Sequence, residues 1–263
     1  MLIIGERING MFKDIRQAIQ AKDKTVIQNI AKRQVQAGAN MLDVNVGPAA
    51  TDDVAAMQWL VETIQSVTDA PLSLDSAKPQ VIEAGLKLCN QKTLINSTTG
   101  ETAKLQNLLN LAVRYKASIL GLCMDEKGMP NSIQARVEIG LKILAGAMEA
   151  GLTADDVYLD PVFLPVKFAQ DQSSASIQTI RELKMLSNPA PKTVCGLSNI
   201  SQGCNDRPLV NRTALVMAIG YGLDAAIMNP LDDELMDAMI TAELLFNKFI
   251  YCDSYIAAYR KTT

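Results

Sequence analysis

Leu42-Asp43-Val44-Asn45-Val46 is the stretch that decides the fold. Side chains of an extended chain alternate between faces, so Asp43 and Asn45 share one face and the three apolar residues share the other. That pattern suits a barrel strand with its outside packed under helices and its inside opening on a polar mouth. Working outward, short apolar runs of the same kind close on Glu6, Asn45, Asp75, Asn96, Met124, Asp160, Asn199 and Asn229. Their mean spacing of about 32 residues matches the ~250 residues that eight strand–helix units share in a (β/α)8 TIM barrel.

Strands are predicted at 2–6, 41–46, 72–75, 93–96, 118–123, 157–160, 193–198 and 224–228. Helices are predicted at 54–67, 80–89, 102–115, 134–149, 174–186, 211–221 and 233–249. Such alternation implies parallel βαβ units, and even spacing favours a closed α/β barrel over an open doubly wound sheet. Asn188-Pro189-Ala190-Pro191 reads as a loop before a strand rather than a linker, so residues 1–263 are expected to form one domain.

Composition narrows the function classes. A chain of 263 residues with 48% hydrophobic content can bury a large core. With 25 basic and 28 acidic residues it lacks the clustered basic footprint of a nucleic-acid binder. No apolar stretch approaches a membrane span, and Met1-Leu2-Ile3-Ile4-Gly5-Glu6-Arg7 lacks the apolar core of a signal peptide, which points to the cytoplasm. The cysteines at 89, 123, 195, 204 and 252 are odd in number and show no C-x-x-C spacing, so they are expected to be small core residues without a metal. The chain has no histidine, which leaves carboxylates and amides to carry any polar chemistry.

The parity that turns Asp43 and Asn45 inward also pairs Ser73 with Asp75, Leu94 with Asn96, and Tyr158 with Asp160 on inner faces. Several carboxylates inside one barrel are costly unless hydrogen-bonded, and a polar heterocycle rich in N–H groups would satisfy them. Local alternatives compete at each position. Asn96 is spare because Thr98 and Glu101 form a capping box of their own. Asp75 comes too early to cap a helix that starts at Pro79. Asp160-Pro161 could begin a helix, but Pro165 would break it almost at once. Asn199 is balanced between binding and an Asx-turn. Asn9-Gly10 reads as a turn pair, Lys184 as a solvated side chain and Met124 as an apolar wall. Gln202, Asn205 and Arg207 lie on a loop expected to reach over the mouth.

Gly5-Glu6-Arg7-Ile8-Asn9-Gly10, Leu42 to Gly47, Leu74-Asp75-Ser76, Ile95-Asn96-Ser97, Leu159-Asp160-Pro161 and Gly196-Leu197-Ser198-Asn199 resemble, in order, the strand ends of the pterin-binding methyltransferases. The resemblance runs from Ile4 to Tyr251-Cys252-Asp253-Ser254. Within that family it is strongest to the methyltetrahydrofolate:corrinoid/iron-sulfur protein methyltransferases of the acetyl-CoA pathway. It implies a homodimer that passes a methyl group from methyltetrahydrofolate to a corrinoid carried by a partner corrinoid/iron-sulfur protein. It further implies that Asp75, Asn96 and Asp160 hold the pterin ring and that Asn199 hydrogen-bonds the methyl-bearing nitrogen. Ser198, Met124, Gln202 and Arg207 are expected near the substrate, with Glu6, Asp43 and Asn45 in support. The rivals are a dihydropteroate synthase, which needs cations for a pyrophosphate leaving group, and a non-catalytic pterin-binding subunit.

Overall fold

The computed structural model describes residues 1–262. The chain runs β1 (Leu2–Asn9), α1 (Lys13–Ala21), α2 (Lys24–Gln36), β2 (Met41–Asn45), α3 (Asp53–Gln65), β3 (Leu72–Asp75), α4 (Pro79–Leu86), β4 (Leu94–Thr99) and α5 (Thr102–Tyr115). It continues through β5 (Ser118–Leu122), α6 (Ile133–Glu149), β6 (Val157–Asp160), α7 (Val166–Leu183), β7 (Lys192–Gly196), α8 (Arg207–Gly220), β8 (Ala225–Met228), α9 (Asp233–Leu245) and α10 (Tyr255–Thr262). The strands pair in parallel and in chain order, and β8 closes on β1 through Leu2↔Ala225 and Gly5↔Met228, giving the expected (β/α)8 barrel.

Two layers of apolar side chains explain the closure. Leu42, Val44, Leu74, Ile95, Ile119, Leu159 and Cys195 point outward, fully buried against helices that turn their own apolar stripes inward. Inside the barrel, Ile4, Met41, Leu94, Leu120, Tyr158, Val194 and Ala225 form a separate buried cluster. Each Ile, Leu, Val or Met side chain of this plug contributes roughly 1.5–3 kcal/mol of burial. The plug also gives the site above it a dry floor.

Local signals fix several helix starts. Asp52, Ser132 and Asp232 cap α3, α6 and α9 through the backbone N–H groups of Ala55, Ala135 and Leu235. Other expectations fail for physical reasons. Thr98 lies within β4, and Glu101 stands at the N-cap of α5 with no side-chain bond, so the expected capping box does not form. Pro165 does not break a helix: it precedes Val166 and starts α7, which kinks only at Ala169. β5 ends at Leu122, one residue short of its predicted end, β7 ends at Gly196 rather than at Ser198, and Ser198 lies in a 3-10 turn over Leu197–Asn199. Lys184 is not freely solvated, since its Nζ donates to Asp224 at 2.7 Å. Cys252 is exposed rather than in the core.

β1 also departs from expectation. It extends to Asn9, with a register shift against β2 between Gly5 and Ile8. A second shift interrupts the β4–β5 pairing between Asn96 and Thr98. Bulges of this kind re-aim side chains, and both stand at the same end of the barrel.

Candidate active site at the barrel mouth

Two residues beyond each member of the apolar plug, the next inward position is reached. Those positions are Glu6, Asp43, Asn96, Leu122, Asp160, Gly196 and Ile227, with Asp75 two residues beyond buried Ser73. All of them line one cavity of about 320 Å³, together with Asn9, Met11, Phe12, Ser97, Ser198 and Asn199. The period-2 pleat of a parallel barrel therefore delivers one residue from every strand to a common site.

On the β2–β4 side the carboxylates are held by side chains. Asp43 is buried, and its Oδ1 accepts from Ser73 Oγ at 2.6 Å and from Asn96 Nδ2 at 3.0 Å. Asp75 Oδ2 accepts from Asn45 Nδ2 at 2.5 Å, while Asn45 Oδ1 accepts from the Gly47 N–H at 2.6 Å. Asn45 is thus fixed at both ends and orients Asp75 without lining the cavity. Burial raises the pKa of Asp43, and the neighbouring charge of Asp75 raises it further. Burial also raises Asp75, against the lowering effect of Asn45. With its Nδ2 committed to Asp43, Asn96 keeps its Oδ1 as an acceptor for a ligand.

On the β6 side the donors are backbone groups. Asp160 Oδ1 accepts from the Val162 N–H at 2.7 Å. Burial pushes Asp160 up to about 7, opposed by the Val162 and Gly196 N–H groups. Glu6, in the β1 bulge, accepts from Ser198 Oγ at 2.8 Å and is also raised by burial. Arg207 does not line the cavity. Its Nη2 donates to Ser198 O at 3.2 Å and its Nε to Ser201 Oγ at 3.1 Å, so it braces the turn that carries Ser198 and Asn199.

Asn199 differs from the other site residues. It is exposed on the cavity rim, and its side-chain amide makes no hydrogen bond among the described residues. The Gln202 N–H meets the Asn199 backbone oxygen instead, at 3.1 Å, so the Asx-turn alternative is not realised. Gly196 makes room for the amide, since a Cβ there would lie 2.9 Å from Asn199 Nδ2.

Gln202 is exposed and Met124 half-buried, both off the cavity wall. Leu122 takes the wall position expected of Met124. Asn229 serves a turn, its Oδ1 accepting from the Leu231 N–H. Sequence reasoning gave little weight to Asn9, which both lines the cavity and accepts from the Met11 N–H at 2.9 Å. It also missed Met11, Phe12, Ser97, Leu122, Gly196 and Ile227. The last three could have been found by counting two residues on from Leu120, Val194 and Ala225.

Among its described lining, the cavity combines four carboxyl side chains with amides and apolar walls and includes no Lys or Arg. Such a site accepts hydrogen bonds far more readily than it donates them. It fits a flat, donor-rich ring against Leu122 and Ile227.

Residues 9–229 match the family described as pterin binding enzyme. Methylcorrinoid:tetrahydrofolate methyltransferase of Eubacterium limosum is 30% identical over 99% of this chain and 97% of that protein. Methionine synthase of Mycobacterium tuberculosis is 31% identical over 87% of this chain, which spans 20% of that much longer relative. The crystal structure of Yersinia pestis dihydropteroate synthase superposes with a TM-score of 0.69 at 19% identity, covering 94% of this chain and 93% of that one. That last likeness is one of fold.

Proposed function

This chain belongs to the pterin binding enzymes, and we propose that it moves a methyl group between tetrahydrofolate and the cobalt of a corrinoid. The observation that carries this reading is the cavity wall, rich in carboxylates and amides and without Lys or Arg among the described lining residues. A pterin offers an amino group and a ring N–H on one edge, a donor pair that a carboxylate accepts with both oxygens. Asp75, Asp160 and the Oδ1 of Asn96 are the acceptors for that edge. A pyrophosphate leaving group, which a dihydropteroate synthase must stabilise, would find no Lys or Arg on the described cavity wall, with Arg7, Arg207 and Lys104 acting on Glu6 and Asp75 only from outside it.

In the forward sense, methyltetrahydrofolate is the donor. The carbon–nitrogen bond breaks, its electron pair stays on the pterin nitrogen, and that nitrogen gains a proton. The new carbon–cobalt bond forms with the electron pair of the reduced cobalt. Asn199, with its amide uncommitted, donates to the methyl-bearing nitrogen as charge develops there, worth about 3–4 kcal/mol for one well-aimed donor. Its place on the rim suits a group that meets the reacting centre rather than the ring edge. The proton comes from water or from one of the carboxylic acids that burial favours. The name of the Eubacterium limosum relative runs in the opposite sense, from methylcorrinoid to tetrahydrofolate. One transition state serves both directions, so supply of substrates decides which way the site runs.

The corrinoid is carried by a partner docking over the mouth. The histidine of the usual base-off corrinoid motif is missing from this chain, which contains none. A corrinoid/iron-sulfur protein of the acetyl-CoA pathway is the proposed acceptor. The enzyme is proposed to work in the cytoplasm as one domain over 1–263, and as a homodimer. An apolar groove between α7 and α8, with Ile177, Leu209 and Met217 on its wall, supports the dimer. Among the described residues no helix is long and apolar enough to cross a membrane.

The test pairs two incubations. Methyltetrahydrofolate with reduced cobalamin is expected to give methylcobalamin, read by absorbance. Hydroxymethylpterin pyrophosphate with p-aminobenzoate is expected to give no condensation product. Condensation without methyl transfer would replace this reading by the synthase.

A further inference from the structure

Arg136 on α6 is fully buried, yet its partners are all neutral. Its Nε donates to Pro130 O at 3.1 Å, its Nη2 to Gln172 Oε1 at 3.1 Å and its Nη1 to Ser176 Oγ at 2.8 Å. A buried guanidinium without a carboxylate is costly, so the bonds it makes in exchange are the place to look for its role. The chain of bonds continues. Ser176 Oγ, also buried, donates to Val162 O at 3.0 Å, and the Val162 N–H donates to Asp160 Oδ1 at 2.7 Å.

Val162 is the weak link in that chain. Its φ of +64° lies in the left-handed region, which a β-branched residue rarely adopts. Such a conformation persists only when its surroundings over-determine it. Here the two ends of the residue are both tied, the carbonyl to Ser176 and the N–H to Asp160. Releasing the carbonyl lets the peptide relax and turns the N–H away from the carboxylate.

We propose that Arg136, acting through Ser176, is a positioning residue for Asp160: it clamps Val162 in its strained conformation so that the Val162 N–H stays on Asp160 Oδ1 and fixes how the carboxyl meets the ligand. The proposal rests on the pterin reading only for what Asp160 binds; the clamp itself concerns the free protein. Across the cavity Asp160 shares its walls with the carboxyls of Glu6, Asp43 and Asp75, each raised by burial, and behind it stand the thiols of Cys123, beyond β5, and Cys195 on β7, also raised by burial.

Carbon-13 NMR of aspartate-labelled protein reads this directly, with Asp160→Asn used to assign the resonance. In the ligand-free protein, Ser176→Ala and Arg136→Lys are each expected to raise the Asp160 midpoint by about one pH unit, as the N–H that favours the carboxylate is lost. The double variant should move it no further than either single change. Tetrahydrofolate affinity should fall roughly three- to ten-fold in Ser176→Ala, with no further loss when the same change is made in Asp160→Asn. A Ser176→Ala protein that melts lower but keeps the wild-type midpoint would overturn the proposal and leave Arg136 as packing. If the midpoint moves as expected while wild-type protein binds no tetrahydrofolate, the clamp stands and the pterin reading fails.

Discussion

Asp43 and Asp75 on the β2–β4 arc, and Asp160 on β6, share one cavity but are kept there by different means. The first two are held by Ser73, Asn45 and Asn96, side chains from neighbouring strands. Asp160 is held by backbone N–H groups of its own loop and of β7. A side-chain network spreads charge across three strands, so a change at one member alters the others. A backbone cradle acts on one residue and depends on the conformation of one loop. The difference teaches that similar carboxylates, all raised by burial, should respond to mutation in distinguishable ways.

The largest effect is expected at a residue tied to neither arm. Asn199→Ala should lower kcat/KM for methyl transfer by roughly a hundred- to a thousand-fold, with much smaller damage to folate binding and to melting temperature. Steady-state kinetics, calorimetric titration and thermal melts on one preparation check this. Near-normal transfer by a stable variant would remove Asn199 from the chemistry.

Next come the carboxylates. Asp75→Asn and Asp160→Asn should each weaken folate binding by about ten- to a hundred-fold, the cost of losing an acceptor for a charged hydrogen bond. They should differ in their reach. Asp75→Asn removes the charge that raises Asp43, so the Asp43 midpoint should fall, whereas Asp160→Asn should leave it unchanged. Equal responses of Asp43 to both variants would erase the distinction between the arms.

A smaller loss, about three- to ten-fold in affinity, is expected from Asn45→Ala, which frees Asp75 without removing it. Gly196→Ala should act on the other side by pushing a methyl group against the Asn199 amide, lowering turnover more than affinity. If both changes left titration curves and rates at wild-type values, orientation by neighbours would not matter here.

A separate effect falls on stability. Asp160 has a folded pKa of about 7, above the ~3.9 of an unfolded aspartate. The folded state therefore keeps a proton that the unfolded state has released, and stability falls as pH rises from about 4 through 7. In Asp160→Asn that contribution disappears. Calorimetric melting at pH 5 and pH 8 should show a smaller drop in the variant than in the wild type. An identical drop would mean that Asp160 is ionised in the folded protein throughout.

How much of this was legible from the chain alone follows from what makes a signal. The strand-end carboxylates and amides interrupt apolar runs, so Asp75, Asn96 and Asp160 stood out, and pleat parity turned Asp43 and Asn45 inward as observed. Leu122, Gly196 and Ile227 interrupt nothing and were passed over, although the same parity reaches them. Glu6 was found, but not the bulge that sets it against Ser198, because a bulge is a property of two paired strands. Pro165 was read by its usual effect inside a helix, whereas tertiary packing put it just before one. Arg136 left no trace at all, since a lone arginine on a helix normally signals a solvated face.

The central claim is that the two carboxylate arms hold a pterin so that Asn199 can ease exchange of its methyl group with cobalt. The most direct test is single-turnover absorbance with methyltetrahydrofolate and reduced cobalamin, run on wild-type protein and on Asn199→Ala at saturating folate. The expected result is rapid formation of methylcobalamin by the wild type and a rate at least a hundred-fold lower in a variant that still binds folate. Wild-type protein that binds folate yet forms no methylcobalamin, in either direction of the reaction, would contradict the account.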